Sequence, residues 1–568
     1  MRRTFDLLLA AFGLAVIGLF TTRYRMPFRL DDILLMEWSL AHHWWDAFDP
    51  IKGQLVNSYR PMFALAAYGL THVAGWAHPF WWHLKLCSML IIGLAFVGLT
   101  ARYIAGRWYA LEVSVLLYPV AFATILNVFF WYSDLTYGLE LVFTAPAWYF
   151  GLRGLREGQL TYWLLAMLLG TFAVLSKEPA VVLVHVVLIW AIVDERAWTK
   201  WTGWTRWPAF VAYSVLLVVT VFILSNSPTR GNRFLSLSAP GIGEAVRERI
   251  NYYSAVYLAI APRLLIFFPI VFIALREFVG KFGRGVSLMD FLSLSVMAVV
   301  AALLVFTNVL VAVPLLFFIL MWLAIRPNPE QARARRLLPF VLCLMLAVGA
   351  LLFTVQLVKT QLTEVAILSI IIGGWAWSVW VEEVAGKLKT VRNPRARIVF
   401  ASLFAVLGVF VIVAAVPKLK AEEQMLRDVR DVRQNANDAL TWSAKNLPQN
   451  SLFAVCVYSL HGIEHQNLLT PKDDATKLRS QYTFDGGFVY HVLEVLGRRD
   501  IRHAYLEDST MLPQVLAAMR QQPNSYLFLQ SELDLKLFHG EPSLITSSDS
   551  LVTQFARGPY PCEVWLLR

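Results

Sequence analysis

Two adjacent carboxylates, Asp31 and Asp32, lie in a segment of residues 24–80 that separates two long apolar stretches. Carboxylates beside a membrane are costly to desolvate and are often functional. A positioned carboxylate can take the proton from a weak nucleophile such as a hydroxyl. The alternative role is structural, because Asp is a favoured N-cap residue and the amphipathic run from Ile33 to Trp45 predicts a helix that begins beside the pair. One residue could cap while the other does chemistry, since neighbouring side chains on a helix point in different directions.

Cationic side chains occur in two further motifs. Tyr59-Arg60-Pro61 lies in the same loop, and Ser176-Lys177-Glu178-Pro179 interrupts two consecutive apolar segments. Arginine and lysine both pair with phosphate groups, the guanidinium through two parallel hydrogen bonds. The structural alternatives are an Arg60 that snorkels to lipid headgroups and a solvated turn at Lys177.

A few other polar residues lie in or beside apolar segments. Arg263 and Glu140 are inside such segments, where charges usually face a bundle interior or a cavity. Asp134 follows an aromatic run and would otherwise cap the next helix. His461 and His465 lack a third ligand at metal-site spacing. No metal ligand is therefore predicted, and a divalent metal remains an option without assigned residues.

The composition indicates a polytopic α-helical membrane protein. The chain has 568 residues, of which 58% are hydrophobic and only 16% charged. Its mean hydropathy is +0.56. A soluble protein carries about 25% charged residues. The net charge of +11 comes mostly from short loops between apolar segments, which is an orientation signal and not a nucleic-acid footprint.

Apolar runs long enough to span a membrane predict about thirteen transmembrane helices. The predicted spans are 5–22, 82–104, 109–130, 135–152, 160–175, 180–193, 208–225, 257–275, 288–306, 309–325, 337–357, 365–381 and 398–416. With the basic pair Arg2-Arg3 inside, every basic loop falls on one side, and the 24–80 loop lies outside. We expect an integral protein of the bacterial inner membrane whose C-terminal part is extracytoplasmic.

The composition changes at Pro417, which divides the chain into a membrane domain, 1–416, and a soluble α/β domain, 417–568. Buried strands are predicted at 452–460, 525–530 and 562–567, with a helix at 511–520 between them. Cys456 and Cys562 each lie in a strand-like run. A disulfide between them is one possibility in an oxidising compartment, and two buried thiols are the other.

Three motifs together resemble the GT-C superfamily of integral-membrane glycosyltransferases, in particular the protein O-mannosyltransferases and the lipid A aminoarabinose transferases. They are Asp31-Asp32 after the first span, Tyr59-Arg60-Pro61 in the same loop, and Ser176-Lys177-Glu178-Pro179 after the fifth span. The segment Pro79-Phe80-Trp81-Trp82-His83-Leu84 adds to the resemblance. The match covers roughly the first 190 residues, and later spans agree only in general hydropathy.

The resemblance implies a GT-C-like fold and a polyprenyl-phosphate sugar donor used on the outer face. Asp31 or Asp32 would be the general base on the acceptor, which could be a lipid, a glycan or a protein. The residues implied in donor-phosphate binding are Lys177, Arg60, Glu178 and Tyr59, and those of a possible cavity are Asp134, Arg263 and His83. The donor arrives on a lipid, so no nucleotide-binding glycine loop is needed.

Two other functions compete with this interpretation. A transporter or lipid flippase would favour discontinuous helices in two matching halves, and the sequence has no such internal symmetry. A polymerase or ligase of surface polysaccharide would share the same fold and differ only in its acceptor.

Overall fold

A computed structural model of the chain defines secondary structure over most of its length. The described residues are 28, 30–55, 58–76, 78–107, 110–111, 114, 135–194, 201, 203–226, 242–258, 319–321, 324, 331–353, 362–390, 424, 427, 430–431, 433–456, 486–506, 511–530, 532–557 and 561–568. The chain divides into two compact units. Unit 1 comprises Met1–Leu86, Phe130–Asp134 and Ala421–Arg568, and unit 2 comprises Cys87–Phe129 and Leu135–Lys420.

The 24–80 loop, called the first loop from here on, belongs to unit 1. Its described residues are largely helical. Its elements are α1 (Leu30–Ala41), a 3-10 helix (Trp44–Phe48), the two-residue strands β1 (Gln54–Leu55) and β2 (Ser58–Tyr59), and α2 (Pro61–Val73). The two short strands pair antiparallel. Pro61 is the first residue of α2, a position that suits proline because its fixed φ is already helical and its missing N–H needs no partner.

The C-terminal part of unit 1 is built around a mixed five-stranded sheet. The strands are β3 (Leu452–Cys456), β4 (Arg502–Leu506), β5 (Ser525–Leu529), β6 (Ser550–Phe555) and β7 (Cys562–Leu567), in the order β4-β3-β5-β7-β6. β3 pairs parallel with both β4 and β5, whereas β7 pairs antiparallel with β5 and β6.

Helices cover both faces of this sheet. They are α11 (Gly486–Val495), α12 (Leu512–Arg520) and α13 (Glu532–Gly540), with a further helical segment at residues 433–446. Alternate residues of β3 enter separate cores, because side chains along a strand point to opposite faces. Phe453 and Val455 pack with α11 and the 433–446 segment, and Leu452 and Ala454 pack with α12 and α13.

Helix α1 of the first loop packs into the core of the C-terminal sheet. Ile33 is fully buried in the same cluster as Val489, Leu493 and Phe453. Two hydrogen bonds join nearby parts of the same unit. Buried Arg433 donates to the Phe28 carbonyl at 3.3 Å, and the Trp76 indole N–H donates to the Thr441 hydroxyl at 3.2 Å. The first loop and the C-terminal segment therefore share one hydrophobic core.

The described residues of unit 2 are almost all helical. The long helix α3 (Pro79–Ala105) begins in unit 1 and continues into unit 2, where it is followed by α4 (Leu135–Glu157), α5 (Leu160–Ser176), α6 (Pro179–Asp194), α7 (Gly203–Asn226), α8 (Ile242–Leu258), α9 (Gln331–Phe353) and α10 (Leu362–Thr390). The numbering covers only the part of the chain described above.

Buried tryptophans connect neighbouring helices of unit 2. Trp148 of α4 donates to the Leu183 carbonyl of α6 at 2.9 Å, and Trp163 of α5 donates to the Ala209 carbonyl of α7 at 3.0 Å. The close approach of α4 and α5 requires a glycine in α4, because a Cβ on Gly154 would lie 2.7 Å from the Trp163 nitrogen. Such contacts fix the helix hairpin that ends at Lys177.

Three described helices are long and apolar enough to cross a membrane: Pro79–Ala105, Gly203–Asn226 and Gln331–Leu351. Shorter apolar helices are Leu160–Ser176, Pro179–Asp194 and Thr363–Val379. These six helices coincide with predicted spans, so the helical character predicted for them is confirmed. The count of about thirteen stays a prediction, because spans one, nine and thirteen and most of three, eight and ten lie outside the described residues.

Several predicted elements differ from those in the structure. Helix α1 begins at Leu30, so Asp31 and Asp32 lie in its first turn and do not precede it. The outer loop expected before span eight contains the helix α8. Strands β4 and β6 were not predicted, because both are edge strands with mostly exposed residues and lack the apolar run of a central strand.

The sheet also argues against the Cys456–Cys562 disulfide. The two residues belong to β3 and β7, and β5 lies between these strands. Two strand spacings separate their backbones by about 9.6 Å, whereas a disulfide requires Cα atoms within about 7 Å. The expectation that the two strands lie side by side was therefore wrong, since it used only their apolar composition.

We expect Ile33→Ala to lower the free energy of unfolding of unit 1 by about 2–5 kcal/mol, because it leaves a cavity in a fully buried site. Thermal unfolding of the purified protein measures the loss. Leu40→Ala on the same helix is the matched control, since Leu40 is 56% exposed. Equal shifts in melting temperature for the two variants would contradict the shared core.

Candidate functional site

The acidic pair opens helix α1. The Asp32 side chain is fully buried, whereas the side chain of Asp31 lies outside the described residues. Carboxylates in the first turn of a helix interact favourably with the positive end of its dipole. Asp32 is one residue before Ile33, which anchors the helix in the core of the C-terminal sheet. Its position is therefore fixed by the packing of α1.

Tyr59 and Arg60 lie between β2 and α2 in the same unit. Tyr59 is buried, and its hydroxyl donates to the Phe48 carbonyl at 2.8 Å. Burial, with a further contribution from nearby Asp49, raises the pKa of Tyr59 to about 12, so the hydroxyl remains a donor at neutral pH. Arg60 is half-buried and immediately precedes the first residue of α2. The Tyr59 hydroxyl thus supports the loop in this conformation.

Of the three residues predicted to line a cavity, the structure describes only His83. His83 is fully buried in the first turns of α3, within unit 1. Asp134 and Arg263 lie outside the described residues. The prediction of a shared cavity for the three stays a prediction.

Lys177 lies at the centre of a buried charged cluster in unit 2. Its ammonium nitrogen is 3.1 Å from Glu140 Oε2 and also contacts Glu364 Oε1. The same nitrogen lies 3.2 Å from the centre of the Tyr137 ring, which is a cation–π contact. Lys177, Glu140 and Glu364 are all buried.

Three helix ends bring these side chains together. Lys177 follows the last residue of α5, with extended backbone angles, and its N–H donates to the Ala173 carbonyl at 3.1 Å. Glu140 is in the second turn of α4, and Glu364 is in the first turn of α10. Lys177 follows the C-terminal end of its helix, whereas Glu140 and Glu364 lie near the N-terminal ends of theirs.

The cluster has more acidic than basic side chains. It holds two carboxyl groups and one ammonium, and a carboxylate beside the ammonium opposes the approach of a phosphate. An ammonium has three donors, and Glu140 and Glu364 engage two of them. A small cavity adjoins the cluster, lined by Tyr137, Glu140, Thr144, Trp148, Leu183 and Glu364 among others. The predicted phosphate contact at Lys177 is therefore attenuated by its two partners.

The site residues divide between the two units. Asp32, Tyr59, Arg60 and His83 belong to unit 1, and Lys177 and the half-buried Glu178 belong to unit 2. The sequence did not identify Glu364, and it gave Glu140 no partner. A usable signal existed, since Glu364 is an acidic residue beside an apolar span and buried charges in membranes are usually paired.

A separate group could hold a metal within the described part of the chain. Glu37 of α1 lies beside His491 and Glu494 of α11, with one ligand atom from each within 4.8 Å of the others. Neither the spacing nor the composition predicted this group, because Glu37 is far from the other two residues in sequence.

Comparisons with known proteins give similarities at the level of structure alone. No protein-family model matches the sequence, and no curated protein is significantly similar to it. ArnT from Cupriavidus metallidurans bound to undecaprenyl phosphate has a TM-score of 0.48 and 14% identity, with 99% of this chain and 98% of that chain covered. The apo state of ArnT has a TM-score of 0.38 and 12% identity over the same shares.

A second solved structure is the archaeal oligosaccharyltransferase AglB from Archaeoglobus fulgidus in complex with an inhibitory peptide and a dolichol-phosphate. Its TM-score is 0.44 with 12% identity, covering 93% of this chain and 69% of that chain. All these TM-scores are below 0.5, so we base the functional proposal on the residues of this chain.

We expect Lys177→Met to lower the free energy of unfolding by about 3–5 kcal/mol, because it leaves two buried carboxylates without their cation. Glu364→Gln should cost much less, since it leaves the one-to-one pair of Lys177 with Glu140. Melting temperatures of the purified variants measure both effects.

The control for this series is Glu157→Gln, which breaks the partly exposed ion pair with Arg153 at 2.9 Å and should cost at most about 1 kcal/mol. A Lys177→Met variant as stable as the Glu157→Gln variant would contradict the stabilising pairing of the Lys177 ammonium with the two buried carboxyl groups.

Proposed function

We propose that this chain is an integral-membrane glycosyltransferase of the GT-C type that moves a sugar from a polyprenyl-phosphate donor to an acceptor on the extracytoplasmic face. The observation that carries the proposal is the acidic pair at the start of α1, of which Asp32 is fully buried and held by a packed helix. A general base requires such fixed positioning near the proton that it accepts.

The chemistry assigned to the pair is proton removal from the acceptor. A hydroxyl is a weak nucleophile, and its proton passes to the Asp31 or Asp32 carboxylate as the oxygen attacks the anomeric carbon of the sugar. The bond from that carbon to the lipid phosphate breaks at the same time, and the phosphate leaves with the bonding electrons.

Cations near the leaving phosphate would stabilise the charge that develops on it in the transition state. Arg60 and Lys177 have this role in the proposal, with Tyr59 and Glu178 as neighbours in their motifs. The Tyr137 ring covers the remaining side of the Lys177 ammonium, so a phosphate would bind there by displacing one of these contacts. The pair of carboxylates beside the ammonium weakens phosphate binding, and this gives the proposal a testable electrostatic consequence.

We further propose the bacterial inner membrane as the location, with residues 417–568 extracytoplasmic and the acceptor a lipid, glycan or protein. A transporter or flippase is the alternative from another class. Membranes supplied with a radiolabelled polyprenyl-phosphate sugar distinguish the two. Transfer of label to an acceptor supports the transferase, whereas movement of intact labelled lipid between leaflets supports the flippase.

We expect Asp31→Asn or Asp32→Asn to reduce sugar transfer by about 10²- to 10⁴-fold, the usual contribution of a positioned general base. Membranes with matched protein levels and radiolabelled donor provide the assay. Asp49→Asn is the control, because the Asp49 carboxylate accepts backbone hydrogen bonds in an exposed turn of the same loop. Wild-type transfer in both of the first two variants would exclude the pair as the base.

Donor kinetics test the role of Lys177. Lys177→Ala should reduce kcat/KM for the donor about tenfold or more, the size expected for loss of a charged hydrogen bond, with a smaller effect on the acceptor. Glu364→Gln should instead lower KM for the donor, because it removes one of the negative charges beside the ammonium. If Glu364→Gln raises KM for the donor, the phosphate does not bind at Lys177.

A further inference from the structure

Three potential metal ligands meet where the first loop packs on the C-terminal segment, within unit 1. His491 Nδ1 lies 2.8 Å from Glu37 Oε2, and Glu494 completes a group whose ligand atoms all lie within 4.8 Å of one another. His491 and Glu494 are three residues apart on α11, so they lie on one face of that helix. Glu37 reaches them from α1.

The two helices are held in place by their own packing. Ile33 of α1 is buried in the same core as Val489 and Leu493 of α11. The distance between the ligand groups is therefore set by the hydrophobic core and does not depend on the ligands themselves. The side chains of Glu37 and His491 are 32% and 37% exposed, so an ion from solution can reach the group.

The group brings two carboxyl groups and one imidazole into a small volume. Two carboxylates this close repel each other unless a proton or a cation lies between them.

We propose that Glu37, His491 and Glu494 form a binding site for a divalent transition metal of the zinc class, which joins α1 of the first loop to α11 of the C-terminal segment. Imidazole nitrogen and carboxylate oxygen are ligands that zinc prefers, and three protein ligands with a solvent molecule complete a tetrahedral set.

A metal at this site would stabilise the packing of α1 on α11, and this effect does not depend on the proposed transferase activity. Glu37 follows Asp32 on the same helix, so an ion at Glu37 would hold the helix that carries the buried acid. A ligand that binds only the folded arrangement stabilises it by mass action. Metal binding would thus fasten the first loop to a segment that lies more than four hundred residues away in sequence.

Zinc uptake by the full-length protein in detergent tests the site. Protein stripped with a chelator and desalted is titrated with zinc chloride, and bound metal is measured by plasma mass spectrometry and calorimetry. We expect a single zinc per chain in the wild type and a dissociation constant raised at least about tenfold in His491→Ala and in Glu494→Gln.

His539→Ala is the matched control, because His539 pairs with Glu563 at 2.9 Å in the same C-terminal segment; this variant should bind zinc as the wild type does. Glu494→Gln keeps the shape of the side chain and decides the outcome if His491→Ala does not fold. Hydrogen exchange reports on the contact between α1 and α11, since zinc should slow amide exchange in both residues 30–41 and residues 486–495.

Three outcomes would overturn the proposal. They are a wild type that retains no zinc, equal zinc affinity in the wild type and both ligand variants, and zinc binding without protection of the two helices. A group that instead shares a proton would give the first of these outcomes, together with a melting temperature that changes with pH and not with zinc.

Discussion

Charge that is removed from water has to be paired, and the arrangement of this protein depends on that constraint. In unit 2 the Lys177 ammonium is enclosed by Glu140, Glu364 and the face of Tyr137. An isolated charge at such a site would cost several kcal/mol, so the three helix ends that supply these groups must come together. In unit 1 buried Arg433 donates to the backbone carbonyl of Phe28, just before α1. Each unit thus has a polar contact that specifies how its helices approach.

The first loop is part of a folded core and not a simple connection between spans. Helix α1 contributes Ile33 to the core beneath the C-terminal sheet, and Trp76 donates a hydrogen bond to Thr441 at the end of the loop. The position of the acidic residues at the start of α1 therefore depends on a segment that is distant from them in sequence. Substitutions in the core around α11 would shift Asp32, because its position depends on the packing of α1.

Periodicity and apolar length predicted most helices of unit 2 within a few residues, as for α5 and α6, because a membrane span is defined by local composition. Strands β3, β5 and β7 were predicted for the same reason, since each is a short apolar run. Pairings between distant residues were not predicted, including Glu364 with Lys177 and Glu37 with His491. Their partners depend on tertiary contacts, and a single sequence contains no record of these. The disulfide expectation was wrong for a related reason, because strand composition does not determine strand order.

The separation of α1 from its partners in the chain has a consequence for synthesis. Arg433 follows Phe28 by 405 residues, and a ribosome adds about 5–20 residues per second. The helix that carries the acidic pair is therefore made roughly 20–80 s before the segment that buries Ile33. During that interval α1 can pack on α2 of the same loop, but the part of it that the C-terminal segment buries, including Ile33, has no native cover. The order of synthesis would thus delay assembly of the acidic pair until most of the membrane helices have been made.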